Sequence, residues 1–220
     1  MRGFFEAKKI AVVGASRDRD KVGRVIFENL LANPNLKVFP INPKAFEISG
    51  VKCYPDVLSV PFLLDMAIIA VPAEKVLEVL EQCGKKNIKR VILITAGFSE
   101  IGNIGLEKKI GEIARKYSIK ILGPNILGII STYKNLNASF FSGKLEKGNV
   151  GFISQSGAVG SAILDKALEE KVGFSAFISL GNMVNCDFID ALEYFANDRY
   201  SEVIIMYIES LKEGRGREFI

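Results

Sequence analysis

Five consecutive residues, Ser154-Gln155-Ser156-Gly157-Ala158, place two hydroxyls and a glycine between an apolar run and an amphipathic segment. A turn of this kind leading into a helix aims backbone N–H groups and hydroxyls at an anion, and the helix dipole adds to the attraction. No acidic residue competes in the first helical turn. A plain serine N-cap is the simpler reading of the same residues. A second small-residue turn, Gly14-Ala15-Ser16, precedes Lys21 and Gly23 and offers the same chemistry, with simple closure of a tight turn as its alternative. Glu209 follows the apolar run Glu202 to Ile208 and sets a carboxylate at a strand end. The sequence contains no histidine, so imidazole acid–base catalysis, a Ser-His-Asp triad and histidine metal ligation are all excluded within it.

Other turns sharpen the choice of ligand. A dinucleotide fingerprint needs glycines where this sequence has Gly14, Ser16 and Arg19, and only the first is glycine. An acidic residue that would grip a ribose 2′-hydroxyl is replaced by the run Ile41-Asn42-Pro43-Lys44. A lysine there favours a phosphorylated ribose, which coenzyme A and NADP both carry. Val71-Pro72-Ala73, Ala96-Gly97-Phe98 and Gly123-Pro124-Asn125 are small enough for a flat or extended ligand to lie against the backbone. Each alone reads as a turn, but together they fall on one rim.

That rim is set by the elements that carry it. Lys9–Gly14, Lys37–Asn42, Asp65–Val71, Lys89–Thr95 and Ile119–Gly123 are short apolar runs expected as strands of a first parallel sheet, with helices over about 21–32, 73–86 and 104–117. A second cycle starts at Asn149–Ser154 and continues through a helix from Gly157, a strand at Phe174–Leu180, a helix from Asp187 and a strand at Glu202–Ile208. Residues 131–148 show little periodicity and are expected as a linker between a first domain, 1–130, and a second, 149–220. Open α/β sheets bind ligands beyond the carboxyl ends of their strands, where the turns above lie.

Composition narrows the partners. Of 220 residues, 49% are hydrophobic and 25% charged, with a net charge of +4. Lys and Arg alternate with Asp and Glu instead of forming a basic stripe, which argues against nucleic acid and leaves a small polyanion as the natural charged partner. Cys53, Cys83 and Cys186 have neither disulfide nor zinc spacing, no metal site is expected, and no apolar run reaches membrane-spanning length. The N-terminus lacks a signal-peptide core, so a cytoplasmic protein is expected.

Taken in order, Val13-Gly14-Ala15-Ser16, Asn42-Pro43-Lys44, Val71-Pro72-Ala73, Ala96-Gly97-Phe98, Gly123-Pro124-Asn125, Ser154-Gln155-Ser156-Gly157 and Gly181-Asn182 with Asp187-Phe188-Ile189-Asp190 resemble the α subunit of ADP-forming acetate–CoA ligase, a relative of succinyl-CoA synthetase. The resemblance implies a Rossmann-like CoA-binding domain followed by a flavodoxin-like parallel-sheet domain, the second incomplete. It puts Gly14, Ser16, Lys21, Lys44, Val71, Pro72, Gly97 and Asn125 at coenzyme A, and Ser154, Ser156, Gly157 and Ala158 at phosphate. Glu209 matches the glutamate that steadies a phosphohistidine. The implied reaction turns acyl-CoA and phosphate into acyl phosphate and CoA, then passes the phosphoryl group through histidine to ADP.

Two parts of that machinery are missing from the sequence. The family histidine follows the glutamate-bearing strand, whereas this sequence stops at Ile220, eleven residues past Glu209, so a truncated subunit is expected. ADP or ATP with Mg is expected on an ATP-grasp partner subunit or domain. An edge left on the second sheet is expected to be covered, in an oligomer or by that partner. Other readings are a non-catalytic CoA or acyl-CoA-binding module, an NAD(P)-binding oxidoreductase, and a domain of a larger protein acyltransferase on the same scaffold.

Overall fold

Consecutive apolar residues in the first strands bury nearly every side chain, the signature of a parallel sheet covered on both faces. The computed structural model describes residues 1–220. Its first half runs α1 (Arg2–Phe5), β1 (Lys9–Val13), α2 (Val22–Leu31), β2 (Lys37–Ile41), β3 (Glu47–Ile48), β4 (Val51–Lys52), β5 (Met66–Ile69), α3 (Ala73–Lys85), β6 (Arg90–Leu93), α4 (Ile104–Tyr117) and β7 (Lys120–Leu122). The second half holds β8 (Gly128–Ser131), β9 (Leu136–Ser139), β10 (Lys147–Ser154), α5 (Gly157–Glu169), β11 (Phe174–Ser179), α6 (Phe188–Ala196), β12 (Val203–Tyr207) and α7 (Gly216–Phe219).

The first sheet has the order β2-β1-β5-β6-β7 and is parallel throughout. Strand order reverses between β1 and β5, so the crevice that such sheets use for ligands opens between the Gly14 turn and the Val71 turn. Helix α3 buries Val76, Val79, Leu80 and Cys83, spaced three or four residues apart on one stripe, against this sheet. Helix α2 does the same with Ile26, Phe27 and Leu30.

The second sheet, β12-β10-β11-β8-β9, differs from the expected layout. Strands β10, β11 and β12 are parallel, as their βαβ spacing predicts. Residues 131–148 are not a free linker: β8 runs antiparallel to β11, and β9 antiparallel to β8, so the sheet begins near Gly128. The segment carries no strand signature in the sequence because polar residues interrupt it, and these are satisfied internally. Asn137 Nδ2 donates to the Phe141 carbonyl at 2.9 Å, and Ser139 Oγ donates to Asn137 Oδ1 at 2.6 Å. Strand β12 lies at the sheet edge with its side chains exposed.

Helix α6 starts on a capping box in which Asp187 accepts from the Ile189 and Asp190 N–H groups while Asp190 accepts from the Asp187 N–H. The two halves are fastened together. Phe4 and Phe5 of α1 join the same buried cluster as Ile153, Phe188 and Phe195, and Phe5 stacks on Tyr194 at 4.2 Å between centroids. Asn29 of α2 and Asn33, just beyond its end, donate to the carbonyls of Ser139, Phe141 and Asn135 at 2.8 to 2.9 Å. From the other side, Asn185 accepts from the Ile121 N–H and donates to the Ile119 carbonyl.

All three cysteines are free and buried. Burial pushes the Cys83 and Cys186 thiols up to about 12, so they stay protonated and unreactive at neutral pH. No helix is long and apolar enough to cross a membrane.

Candidate functional site

The site is built from strand ends. After β1 the chain turns at Gly14 with φ +93°, and Gly23, in the first turn of α2, packs directly against the Gly14 carbonyl. Neither position has room for a Cβ. The turn leaves Ser16 half-buried, its Oγ accepting from the Asp18 N–H at 3.0 Å, and Lys21 exposed at the N-cap of α2. Asn42 ties the end of β2 to this turn: its Nδ2 donates to the Ala15 carbonyl, and its Oδ1 accepts from the Lys44 N–H, both at 2.8 Å. Lys44 is thereby fixed at its backbone while its side chain stays in solvent. Lys21 and Lys44 are exposed here, as are Arg17 and Arg19, so this rim carries positive charge.

Val71 and Pro72 follow β5, and the Val71 carbonyl accepts from Thr95 Oγ1 at 2.7 Å. Gly97 has φ +110°, and a Cβ there would press on the Ala73 Cβ at 3.2 Å, so the turn stays bare beside the α3 N-terminus. Asn125 sits at φ +61° with its N–H donating to the Thr95 carbonyl at 2.9 Å. These contacts set the ends of β5 and β6 and the turn after β7 in one line.

Across from them lies the N-terminus of α5. Ser156 caps it, its Oγ accepting from the Val159 N–H at 3.3 Å, which leaves the Gly157 and Ala158 amides without helical acceptors. Gly157 has no close neighbour on its Cβ side beyond Leu127 N at 4.0 Å. Ser154 stands apart: it is fully buried, and its Oγ donates to the Ser156 carbonyl at 2.7 Å, shaping the turn from behind.

A cavity of about 710 Å³ opens between the two domains and brings Val71 and Asn125 of the first together with Ser156, Gly157, Ala158 and Glu209 of the second. Gly14, Ser16, Lys21, Lys44, Pro72 and Gly97 do not line it. They lie on the outer rim, at the ends of β1, β2, β5 and β6. A larger polar cavity of about 1020 Å³ adjoins it, with Asn125, Gln155 and Glu209 on the wall common to both.

Gln155 reads in the sequence only as part of a turn, yet it holds the Glu209 backbone in place. Its Oε1 accepts from the Glu209 and Ser210 N–H groups at 2.9 and 3.0 Å, and its Nε2 donates to Ser210 Oγ at 3.1 Å. Asn182 Nδ2 likewise draws Ser99, Glu100 and Glu107 together at 2.6 to 3.1 Å. Burial pushes the Glu100 carboxyl up, but hydrogen bonds from Asn182 and from the Gly97 and Phe98 N–H groups outweigh it, so the group sits below its ordinary value. Phe140 and Thr95 are further cavity residues without a sequence signal.

The fold and this site define a Rossmann-like nucleotide-cofactor domain joined to a flavodoxin-like unit that presents a helix N-terminus. The chain belongs to the CoA-binding domain family, which matches residues 8–132. Residues 147–220 match the succinyl-CoA ligase-like flavodoxin domain. The α subunit of acetate–CoA ligase [ADP-forming] II from Pyrococcus furiosus is 48% identical over 214 residues, 96% of this chain and 47% of that protein. Acetate–CoA ligase [ADP-forming] from Methanocaldococcus jannaschii is 50% identical over 208 residues, 94% of this chain and 29% of that protein. The solved structure of Ca. Korarchaeum cryptofilum acetyl-coenzyme A synthetase 1, with phosphate and ADP, has a TM-score of 0.93 at 45% identity, covering 96% of this chain and 46% of that one. The chain thus spans half or less of the length of these relatives.

Proposed function

We propose that the chain is the CoA-binding, α-type part of an ADP-forming acyl-CoA ligase, of the acetate–CoA ligase kind. The observation that carries this reading is the single cavity in which the strand ends of the CoA-binding domain, the α5 N-terminus and Glu209 meet. In this reading the phosphates of CoA lie at the rim, near Ser16, Lys21 and Lys44, and the pantetheine arm runs inward past Pro72, Gly97 and Val71. Inorganic phosphate sits on the Gly157 and Ala158 amides beside Ser156, where the helix dipole favours negative charge. A phosphate oxygen attacks the thioester carbonyl, the C–S bond breaks, and the thiol of CoA leaves with a proton while acyl phosphate forms. When the phosphoryl group is later passed on, the same amides face the charge on its oxygens.

The phosphoryl group then moves to a histidine nitrogen, and Glu209, clamped by Gln155, orients that imidazole. The sequence has no histidine, so another segment or subunit supplies it. An ATP-grasp partner supplies the ADP site and its Mg.

Calorimetric titration with CoA and with 3′-dephospho-CoA tests the reading. Lys44→Ala is expected to weaken CoA binding about tenfold, the scale of one charge-assisted contact, and to leave dephospho-CoA binding unchanged, because the lost partner is the 3′-phosphate. Equal losses for both ligands would place Lys44 elsewhere on CoA. Absence of CoA binding in the unmodified chain would overturn the reading.

A further inference from the structure

The cavity that holds the phosphate cradle is otherwise apolar. Nine of its sixteen lining residues are hydrophobic, among them Val22, Val71, Ile126, Leu127 and Phe140. Two of them, Val22 in α2 and Phe140 after β9, are 40% and 37% exposed. Large apolar side chains held open to a cavity, rather than folded into the core, mark a place where an apolar group binds.

Phe140 is also held firmly. Its N–H donates to the Leu127 carbonyl at 3.2 Å, continuing the β8–β9 ladder. The next carbonyl, that of Phe141, accepts from both Asn29 Nδ2 and Asn137 Nδ2 at 2.9 Å, and the Phe141 ring is buried in the second domain's core. With Phe141 anchored inward, Phe140 stays on the cavity side.

We infer that the apolar side of this cavity, walled by Val22, Val71, Ile126 and Phe140, receives the acyl group of the thioester, and that Phe140 selects acyl groups longer than acetyl. The inference rests on the proposed CoA site and adds to it the substrate class. An acetyl group has one methyl to bury, which leaves most of this wall wet. A straight or branched chain of about four to six carbons covers it, and each methylene moved from water strengthens binding about fourfold. Phosphate at the α5 N-terminus then lies across the cavity from the acyl tail, with the thioester carbonyl between them.

The test is a set of calorimetric dissociation constants for CoA, acetyl-CoA, butyryl-CoA and hexanoyl-CoA, measured with the unmodified chain and with Phe140→Ala and Phe140→Trp. Unmodified chain should bind butyryl-CoA more than tenfold tighter than acetyl-CoA, the product of two buried methylenes at about fourfold each. Phe140→Ala should erase most of that increment while CoA affinity holds, and Phe140→Trp should penalise hexanoyl-CoA more than acetyl-CoA. Equal affinity for all three thioesters, or a Phe140→Ala loss shared equally by CoA and every thioester, would overturn the assignment. Failure of CoA itself to bind removes the underlying site and the inference with it, and is told apart because it appears with the ligand that has no acyl group.

Discussion

On the proposed CoA site, Gly14→Ala should abolish CoA binding, and it should destabilise the chain by about 2–4 kcal/mol, a steric and conformational penalty of the size seen at strained backbone positions. Gly14 has φ +93°, outside what an L side chain adopts readily, and a Cβ there would collide with the Ala70 carbonyl and come within 3.1 Å of Val71 Cγ1. Relief requires the turn to move away from β5, which separates the two sides of the switch-point crevice and shifts Val71. It also disturbs Gly23, whose fit against the Gly14 carbonyl sets the entry of α2. Urea denaturation and a CoA titration on the same preparation check the result. A Gly14→Ala chain of normal midpoint and normal CoA affinity would show that the turn has slack which the geometry denies.

Phe177→Ala should cost about 3–5 kcal/mol, the usual range for deleting a fully buried aromatic ring. Phe177 has no exposed surface, lies 5.3 Å from the Phe152 ring and touches the α5 backbone at Gly160, where a Cβ would stand 3.0 Å from its Cζ. It is the floor on which α5 rests, so its loss loosens the helix whose N-terminus faces the cavity. We expect one urea transition at lower midpoint rather than two, since residues from both halves share a buried cluster. Two separate transitions would mean that the halves unfold independently in spite of that cluster.

The first domain was legible because its strands are continuous apolar runs and each is followed by a small-residue turn. Runs such as Ile10 to Val13 and Met66 to Ile69 can be buried on both faces only in a covered parallel sheet. The β8–β9 hairpin was not legible. Its outer strand reads Leu136-Asn137-Ala138-Ser139, and the pattern resembles a loop until Asn29 is seen donating to the Ser139 carbonyl, Asn137 to the Phe141 carbonyl and Ser139 to the Asn137 side chain. The β3–β4 turn is not legible either, although Ser49 and Gly50, both at positive φ, suit a two-residue hairpin, because strands of two residues carry no periodicity.

Site residues divide along the same line. Gly14, Gly97 and Asn125 could be read because each needs a special backbone conformation, and Ser156 because helix N-caps have a residue preference. Gln155 could not, since its role depends on meeting the Glu209 and Ser210 amides, more than fifty residues later in the chain. Phe140 is one of fifteen phenylalanines, and only the tertiary structure separates it from the buried ones.

The stacking of Phe5 on Tyr194 and the links made by Asn29 and Asn33 make the cleft a preassembled one. Its two walls cannot swing apart like a jaw without opening the shared apolar core, and interiors packed at that density do not yield by degrees. If the proposed site is correct, capture should be a docking event onto a finished surface, with a rate limited by diffusion and by the orientation of the incoming ligand. Selectivity must accordingly reside in the shape of the walls, since no movement is left to check the guest after it has entered.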